Sequence, residues 1–275
     1  MAAATGLAPR ALAAQDGGKD DGEALDRVWR IEGLHTGFCV QLLLDPAKLD
    51  VTLPRGARPL RADADDSLST VLRAVIANQP DVAGWIPSRI CMYFMETVRV
   101  GSVRVSERER SKAPMVGVWT LAAADSAGGR RRDVVLRLFT NAGRLERAGK
   151  ASGIDLQKIR SEVRSIPSDE EDPSAPAIGV RYQVRLDKTL LIWEGRRVDD
   201  STRAGGPVTA QWRAETERRG PVTARLVLTP EWTQAMAGSL RVEGKGDFAD
   251  AVKASPIRFV GPALLGGGGE LAFRR

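Results

Sequence analysis

Histidine, cysteine and long apolar runs are scarce in this sequence, and each scarcity excludes a class of protein. The 275 residues include one histidine, His35, and two cysteines, Cys39 and Cys91. These residues cannot supply the ligands of a structural zinc site, so no metal or cofactor is predicted. A catalytic triad would need His35, and no G-x-S-x-G nucleophile elbow is present, so His35 is interpreted as a structural or surface residue. No run of about 18 apolar residues occurs, so no transmembrane helix is predicted.

The two cysteines lie inside apolar runs. Cys39 stands in GFCVQLLL and Cys91 in RICMYFM. Burial among apolar residues favours free thiols, which pack as small hydrophobic groups. A disulfide between them is the alternative that stays open, because the number of cysteines is even.

Lysine is also scarce, whereas arginine is abundant. Only eight of the 41 basic residues are lysines, and the net charge is +6. Arginine binds carboxylates and phosphates through two parallel hydrogen bonds, so an acidic protein partner or an anionic lipid surface is expected. Solvated surface charges are the alternative explanation. The tight cluster Arg130, Arg131 and Arg132 is the candidate partner-binding patch, and nucleic acid is not predicted as a partner because no recognisable binding module is present.

Residues 1–23 are rich in alanine and glycine and cannot build a core, so they are predicted to form an extended arm. Leu7 and Leu12 are its candidate apolar anchors, and Arg10 is its candidate contact with carboxylates or lipid phosphates. The segment ALAAQ looks like a signal cleavage site, but no apolar stretch of the required length precedes it. A cytoplasmic protein peripheral to a membrane is therefore expected, or a periplasmic one if the start lies inside a signal peptide.

Residues 24–275 are predicted to form a single β-rich domain of the α+β class. The best strand pattern is IGVRYQVRL, in which apolar residues alternate with Arg181, Gln183 and Arg185. The segments PVTAQWRAE and PVTARLVLTP are interpreted as adjacent strands. Gly266–Gly269 is interpreted as a flexible turn before the last strand, because no helix follows that could complete a phosphate site.

Helices are predicted at four places by apolar spacing. The clearest is DDSLSTVLRAVIANQP at 65–80, with Asp66 or Ser67 as its cap and Pro80 at its end. The others are 20–34, ended by Gly33, then 153–165, where Leu156, Ile159 and Val163 share a face, and 247–255.

Three segments resemble the acetoacetate decarboxylase-like family. They are CVQLLLDPAKLDVTLPRGARPL, with its Pro54–Pro59 turn, then APMVGVWTLAA, and SPIRFVGPALLGGGGELAF. The resemblance implies a mostly antiparallel β-barrel or cone with a few peripheral helices. It also implies a Schiff-base lysine pair directly before Leu121 and Ala122. This sequence has Trp119 and Thr120 there, and neither side chain can form a Schiff base.

Lys112 is the nearest upstream lysine and the catalytic candidate if the protein is an enzyme. Seven residues of strand span roughly 23 Å, which is too far for Lys112 to act from the position of Trp119. The segment SERERSK around it is polar throughout, so Lys112 is interpreted as a solvated charge.

The absent lysine pair favours a non-catalytic binding or scaffold subunit that docks on an acidic or membrane-associated partner. A specific version is an extrinsic subunit of a bacterial photosynthetic reaction centre–light-harvesting complex, for which the sequence holds no motif. The first alternative is a lyase or hydrolase of the same superfamily that holds a small carboxylate with arginine. The second alternative is a carrier of a small apolar ligand.

Overall fold

The computed structural model describes most of the predicted β-rich body. The described residues are 27–49, 51–100, 103–104, 114–125, 131–169, 171–172, 174–186, 188–216, 220–255 and 258–274. The predicted arm at 1–23 lies outside them, so the division into arm and body stays a prediction.

Strands dominate the described residues. The strands are β1 (Arg27–Leu44), β2 (Ala57–Pro59), β3 (Ile86–Val100), β4 (Val103–Arg104), β5 (Met115–Leu121), β6 (Ala123–Asp125), β7 (Asp133–Thr140), β8 (Leu156–Lys158), β9 (Arg160–Pro167), β10 (Ala177–Leu186), β11 (Thr189–Ala204), β12 (Val208–Thr216), β13 (Gly220–Gly244) and β14 (Arg258–Arg274). The helices are α1 (Thr70–Asn78), α2 (Gly143–Ala151) and α3 (Asp247–Ala254). Three 3-10 turns lie at Pro46–Lys48, Ala62–Ala64 and Pro80–Val82. The predicted α+β class is confirmed.

Twelve strands form one mixed sheet, in the order β12-β7-β5-β3-β1-β14-β13-β11-β10-β9, with β4 and β8 attached to β3 and β7. Strand β12 pairs with both β13 and β7, so the first seven strands form a circuit of pairings. The contact of β12 with β7 is parallel and spans only two residue pairs. Beyond β13 the sheet continues as an open extension that consists of β11, β10 and β9. We call this extension the flange. The sheet as a whole is therefore not closed as the predicted barrel or cone.

The strands in the middle of the sheet are buried on both faces. On β3, for example, Cys91 and Tyr93 belong to one apolar cluster, whereas Ile90 and Met92 belong to the other. The second cluster also contains the apolar residues of the flange, so the flange packs over one face of β1, β3 and β5. A strand buried on both faces becomes a continuous apolar run, and the sequence MVGVWTL of β5 is of this kind.

Helix α1 confirms the clearest helical prediction, with one difference at its start. Ser69 is the N-cap, and its Oγ accepts a hydrogen bond from the backbone N–H of Leu72, so the cap is neither Asp66 nor Ser67. Leu72 packs with Leu43 of β1 in a third, smaller cluster. Helix α3 confirms the helix predicted at 247–255.

Two other predicted helices are wrong. The segment 20–34 enters β1 at Arg27, where Ile31 and Leu34 are buried and the backbone pairs with β14. The segment 153–165 forms β8 and β9, which are separated by Ile159, whose backbone N–H donates to the carbonyl of Thr140. In both segments apolar residues recur at intervals of three and four positions, which is typical of a helix. Pairing with neighbouring strands outweighs this local preference.

The predicted turn at Gly266–Gly269 is also wrong. These glycines continue β14 and pair with Leu228, Thr229, Pro230 and Trp232 of β13. A Cβ on Gly269 would lie 2.5 Å from Leu228 Cδ2 and 2.8 Å from the carbonyl of Val227, so the strands approach too closely for a side chain there.

The cysteines form a disulfide, so the prediction of free thiols is wrong. Cys39 on β1 lies directly opposite Cys91 on β3, and the Cα atoms are 4.0 Å apart. The physical reason is the strand register, which places the two cysteines directly opposite each other on neighbouring strands. Separately, no helix among the described residues has the length and apolar character needed to cross a membrane.

Candidate functional site

Most of the residues predicted to act lie outside the described residues. These are Lys112, Leu7, Arg10, Leu12 and Arg130. Their roles therefore stay predictions. The structure does place Arg131 and Arg132 of the predicted patch. Arg132 is exposed just before β7, whereas Arg131 is mostly buried.

Arg131 is held in a network of ion pairs. Its Nε donates to Asp133 Oδ1 at 2.8 Å, and its terminal nitrogen Nη1 donates to Asp65 and, at 3.0 Å, to Ser67 Oγ. The Asp65 side chain is only 1% exposed. The nearby carboxylates raise the pKa of Arg131, although burial acts in the opposite direction. These bonds tie the loop before α1 to β7, so they occupy the guanidinium that was predicted to bind a partner.

A buried tryptophan lies on β5 at the position where the resemblance implies a lysine. Trp119 is 2% exposed, and its Nε1 donates to Ser88 Oγ at 2.8 Å. Ser88 Oγ in turn donates to the carbonyl of Thr120 at 2.7 Å. The indole packs edge-on against Phe248 of α3, with ring centroids 4.5 Å apart, and the Arg137 guanidinium lies over both rings. This position therefore stabilises the core and offers no amine.

The remaining lysines do not replace the missing pair within the described part of the chain. They are Lys48, Lys150, Lys158, Lys188, Lys245 and Lys253. All six are exposed to solvent. A Schiff-base lysine needs burial or a neighbouring cation to lower its pKa, and the exposed positions of these six lysines provide no burial. The described residues also bring together no group of three or more metal-ligating side chains.

An aromatic cluster lies beneath the flange. Phe38 of β1 stacks on Tyr182 of β10 and on Trp193 of β11, with centroid distances of 4.5 and 4.1 Å. Burial raises the pKa of the Tyr182 phenol. Trp193 Nε1 is buried without a hydrogen-bond partner among the described residues. The rings are in contact with one another, so the cluster serves as core packing, and the carrier of an apolar ligand stays a prediction.

A pocket of about 600 Å³ opens on the outer face of the flange. It is called the arginine pocket, and its lining residues are Arg181, Gln183, Ile192, Glu194, Arg196, Ala237, Gly238, Ser239 and Arg241. These residues come from β10, β11 and β13. Register explains their meeting, since Arg181 lies opposite Glu194, which in turn lies opposite Ser239. The inward-facing neighbours on the same strands, such as Tyr182 and Trp193, belong to the core.

Positive charge exceeds negative charge in the arginine pocket. Glu194 is the only acidic side chain in the lining of the pocket. Glu194 Oε2 accepts hydrogen bonds from Arg181 Nε at 2.8 Å and from Arg181 Nη2 at 2.6 Å. Arg241 contacts Glu243, an exposed residue outside the lining, at 3.2 Å. Arg196 has no ion-pair or hydrogen-bond partner among the described residues. The pocket thus combines three guanidinium groups with one carboxylate.

Gly238 allows strands β11 and β13 to lie close together at the base of the pocket. A Cβ at this position would lie 2.0 Å from the backbone oxygen of Glu194 and 2.7 Å from the Cα of Gly195. Strands β11 and β13 would have to move apart to admit any larger residue. Glycine therefore allows the close approach on which the pocket's shape depends.

The sequence predicted these arginines only as polar residues of a strand. Alternation in IGVRYQVRL indicates that Arg181 faces away from the core, but nothing local to that segment pairs it with Arg196 and Arg241. The signal that could have found the pocket is the recurrence of arginine on the outward positions of β10, β11 and β13. Its use requires the strand order, which alternation does not give.

Comparison with solved structures finds proteins of similar fold. The enduracididine biosynthesis enzyme MppR, in a complex with pyruvate, is 13% identical to this chain with a TM-score of 0.49. The match covers 98% of this chain and 96% of that chain. Acetoacetate decarboxylase from Legionella pneumophila is 11% identical with a TM-score of 0.44, covering 89% and 87%. An acetoacetate decarboxylase-like enzyme from Sphingomonas wittichii is 12% identical with a TM-score of 0.41, covering 90% and 88%.

No protein-family model matches the chain, and no curated protein matches it. The predicted resemblance to the acetoacetate decarboxylase-like fold is confirmed, and at these identities the likeness concerns the fold alone. The proteins named above are enzymes. This finding contradicts the prediction of a non-catalytic docking subunit, and nothing in the comparisons points to a photosynthetic complex.

Proposed function

We propose that this chain binds a small carboxylate in the arginine pocket. The observation that carries the proposal is that Arg196, which has no partner in the part of the chain that the structure describes, lies beside Arg181 and Arg241 in one pocket of about 600 Å³. A small carboxylate is the ligand class of the lyase or hydrolase alternative. A pocket of this size accommodates such a molecule.

The chemistry of the lining fits a carboxylate with a second polar group. Arg196 offers a planar pair of N–H donors, which match the two oxygens of a carboxylate. Gln183 and Ser239 add an amide and a hydroxyl, which can bind a keto or hydroxyl oxygen. Charge attracts the ligand, and these neutral groups orient it.

Glu194 is the acid–base group of this proposal. Both hydrogen bonds from Arg181 go to Oε2, and Oε1 accepts no bond from the described residues. Oε1 is therefore available to accept a proton from a bound hydroxyl, water or carbon acid. In this proposal Glu194 is the general base, since the lining contains no lysine, cysteine or histidine.

Calorimetric titration at low salt tests the binding step, with acetate, pyruvate, acetoacetate and succinate as probes. We expect one or more probes to bind and Arg196→Ala to weaken that binding about tenfold or more, because a charge-assisted hydrogen bond is lost. Arg196→Lys should retain part of the affinity. Arg55→Ala is the matched control, since Arg55 is an exposed arginine outside the pocket. Absence of binding for all four probes, or equal affinity in the Arg196→Ala variant, would contradict the proposal.

Turnover of the bound probe tests the catalytic step. We expect Glu194→Gln to retain binding and to abolish conversion of the keto acid, followed by proton NMR of the substrate and products. A wild-type protein that binds but converts none of the probes would refute the role of Glu194 and leave the binding proposal standing.

A further inference from the structure

Strand β9 forms the edge of the flange. Among the described residues it pairs with β10 on one side and with no strand on the other. Its eight residues include Val163, which is 38% exposed. An open strand edge offers unpaired backbone N–H and C=O groups to another strand. This edge is not used by the proposed carboxylate site.

An apolar row runs across the flange and ends at this edge. Leu240 of β13 lies opposite Trp193, Trp193 lies opposite Tyr182, and Tyr182 lies opposite Val163. The first three residues are buried, whereas Val163 is exposed, since no strand of the described part of the chain pairs with β9 on that side. A further strand with an apolar residue at this position would continue the core.

The charges on either side of Val163 are opposite in sign. Arg164 Nε donates to Glu162 Oε1 at 2.7 Å on the outer face. Across the strand, Arg164 lies opposite Arg181, whose guanidinium is already bound to Glu194. Two arginines directly opposite each other repel, so a second carboxylate beside Arg164 is stabilising.

We infer that β9 pairs with β9 of a second copy of this chain, antiparallel about a two-fold axis at Val163. Val163 then faces the partner's Val163, and Glu162 faces the partner's Arg164. The two flanges become one continuous sheet, and both exposed valines are covered. The two-fold axis produces the ion pair between Glu162 and Arg164 twice, whereas the contact between the two Val163 side chains lies on the axis and occurs once.

The charge pattern selects this register over its neighbours. Moving the axis by one residue in either direction places Glu162 opposite the partner's Glu162, or Arg164 opposite the partner's Arg164, and like charges then meet. Moving the axis by only half a residue changes the register of the strands by one residue. The core-facing side chains of one copy would then lie on the same side of the sheet as the solvent-facing side chains of the other. Only pairing centred on Val163 satisfies both faces of the strand.

Sedimentation velocity and light scattering on the full chain test this pairing. We expect a dimer at micromolar concentration whose dissociation constant rises at least tenfold in Glu162→Arg and in Arg164→Glu. The double variant Glu162→Arg/Arg164→Glu should restore the dimer, because opposite charges face each other again. Glu243→Arg is the matched control, since it makes the same charge change on β13, which is paired on both sides.

Circular dichroism checks that each variant is folded. A monomeric wild-type chain at 100 µM would overturn the inference. A dimer that persists in both single variants, or one that the double variant fails to restore, would overturn it as well.

Discussion

The change Ser88→Ala measures how much the buried hydrogen bond between Ser88 and Trp119 stabilises the core. Ser88 is 3% exposed, and its hydroxyl accepts from Trp119 Nε1 and donates to the carbonyl of Thr120. Alanine leaves the indole N–H buried without a partner, which costs about 1–3 kcal/mol, and the lost bond to Thr120 costs about 1 kcal/mol more. We expect the free energy of unfolding to fall by about 2–4 kcal/mol.

Urea denaturation followed by tryptophan fluorescence and circular dichroism gives this free energy. A loss of about 3 kcal/mol corresponds to a melting temperature lower by roughly 6–12 °C in a chain of this size. Ser168→Ala is the matched control, because Ser168 is exposed and should change stability by less than about 0.5 kcal/mol.

A double-mutant cycle with Trp119→Phe isolates the pair. Phenylalanine removes the indole N–H, so Ser88→Ala should cost about 1–2 kcal/mol less in that background than in the wild type. Equal costs in both backgrounds would refute the reasoning, as would a Ser88→Ala variant as stable as the wild type.

Three further results follow from the described geometry. Borohydride added with a β-keto acid should trap no covalent adduct, whereas a reduced adduct on any lysine, seen by mass spectrometry, would show that Schiff-base chemistry persists. Replacing Cys39 and Cys91 together by alanine should lower the free energy of unfolding by about 2–4 kcal/mol, since the bond closes a loop of 52 residues, and an unchanged denaturation midpoint would exclude this role. Burial raises the pKa of both tyrosines, Tyr93 and Tyr182, above the ordinary value of 10.0. The neutral phenols therefore contribute fully to stability below about pH 10, and this contribution is lost as the pH rises further. We expect phenolate absorbance at alkaline pH to appear only with unfolding. Phenolate formed near the ordinary value of 10.0 in folded protein would contradict the burial.

The strands could be predicted where one face is apolar and the other polar. Alternation placed β10 correctly because Tyr182 and Val184 face the core and Arg181 faces solvent. The prediction was wrong where the sequence has no alternation of apolar and polar residues, as in the glycines of β14. It was also wrong where the spacing of apolar residues fits a helix as well as a strand, as at Leu156 and Ile159. In both cases the outcome depends on pairing with distant strands.

The candidate site was harder to predict than the fold. The sequence predicted that Trp119 occupies the position where the resemblance implies a Schiff-base lysine, and the structure adds the buried hydrogen bond to Ser88 that explains the place of Trp119 in the core. The arginine pocket could not be predicted, because it needs the adjacency of three strands that lie up to 60 residues apart, from Arg181 to Arg241. Likewise the sequence could not show that Arg131 is already occupied by Asp65 and Asp133.

The most direct test of carboxylate binding in the arginine pocket is a two-dimensional NMR titration of the isotope-labelled chain with pyruvate and acetoacetate. We expect the largest shift changes on Arg181, Glu194, Arg196 and Ser239 and on the arginine Nε–H signals of the pocket, with no comparable change on β3 or β5. Shift changes centred on Ser88 and Trp119, or none on the flange at saturating ligand, would contradict the assignment of the pocket as the binding site.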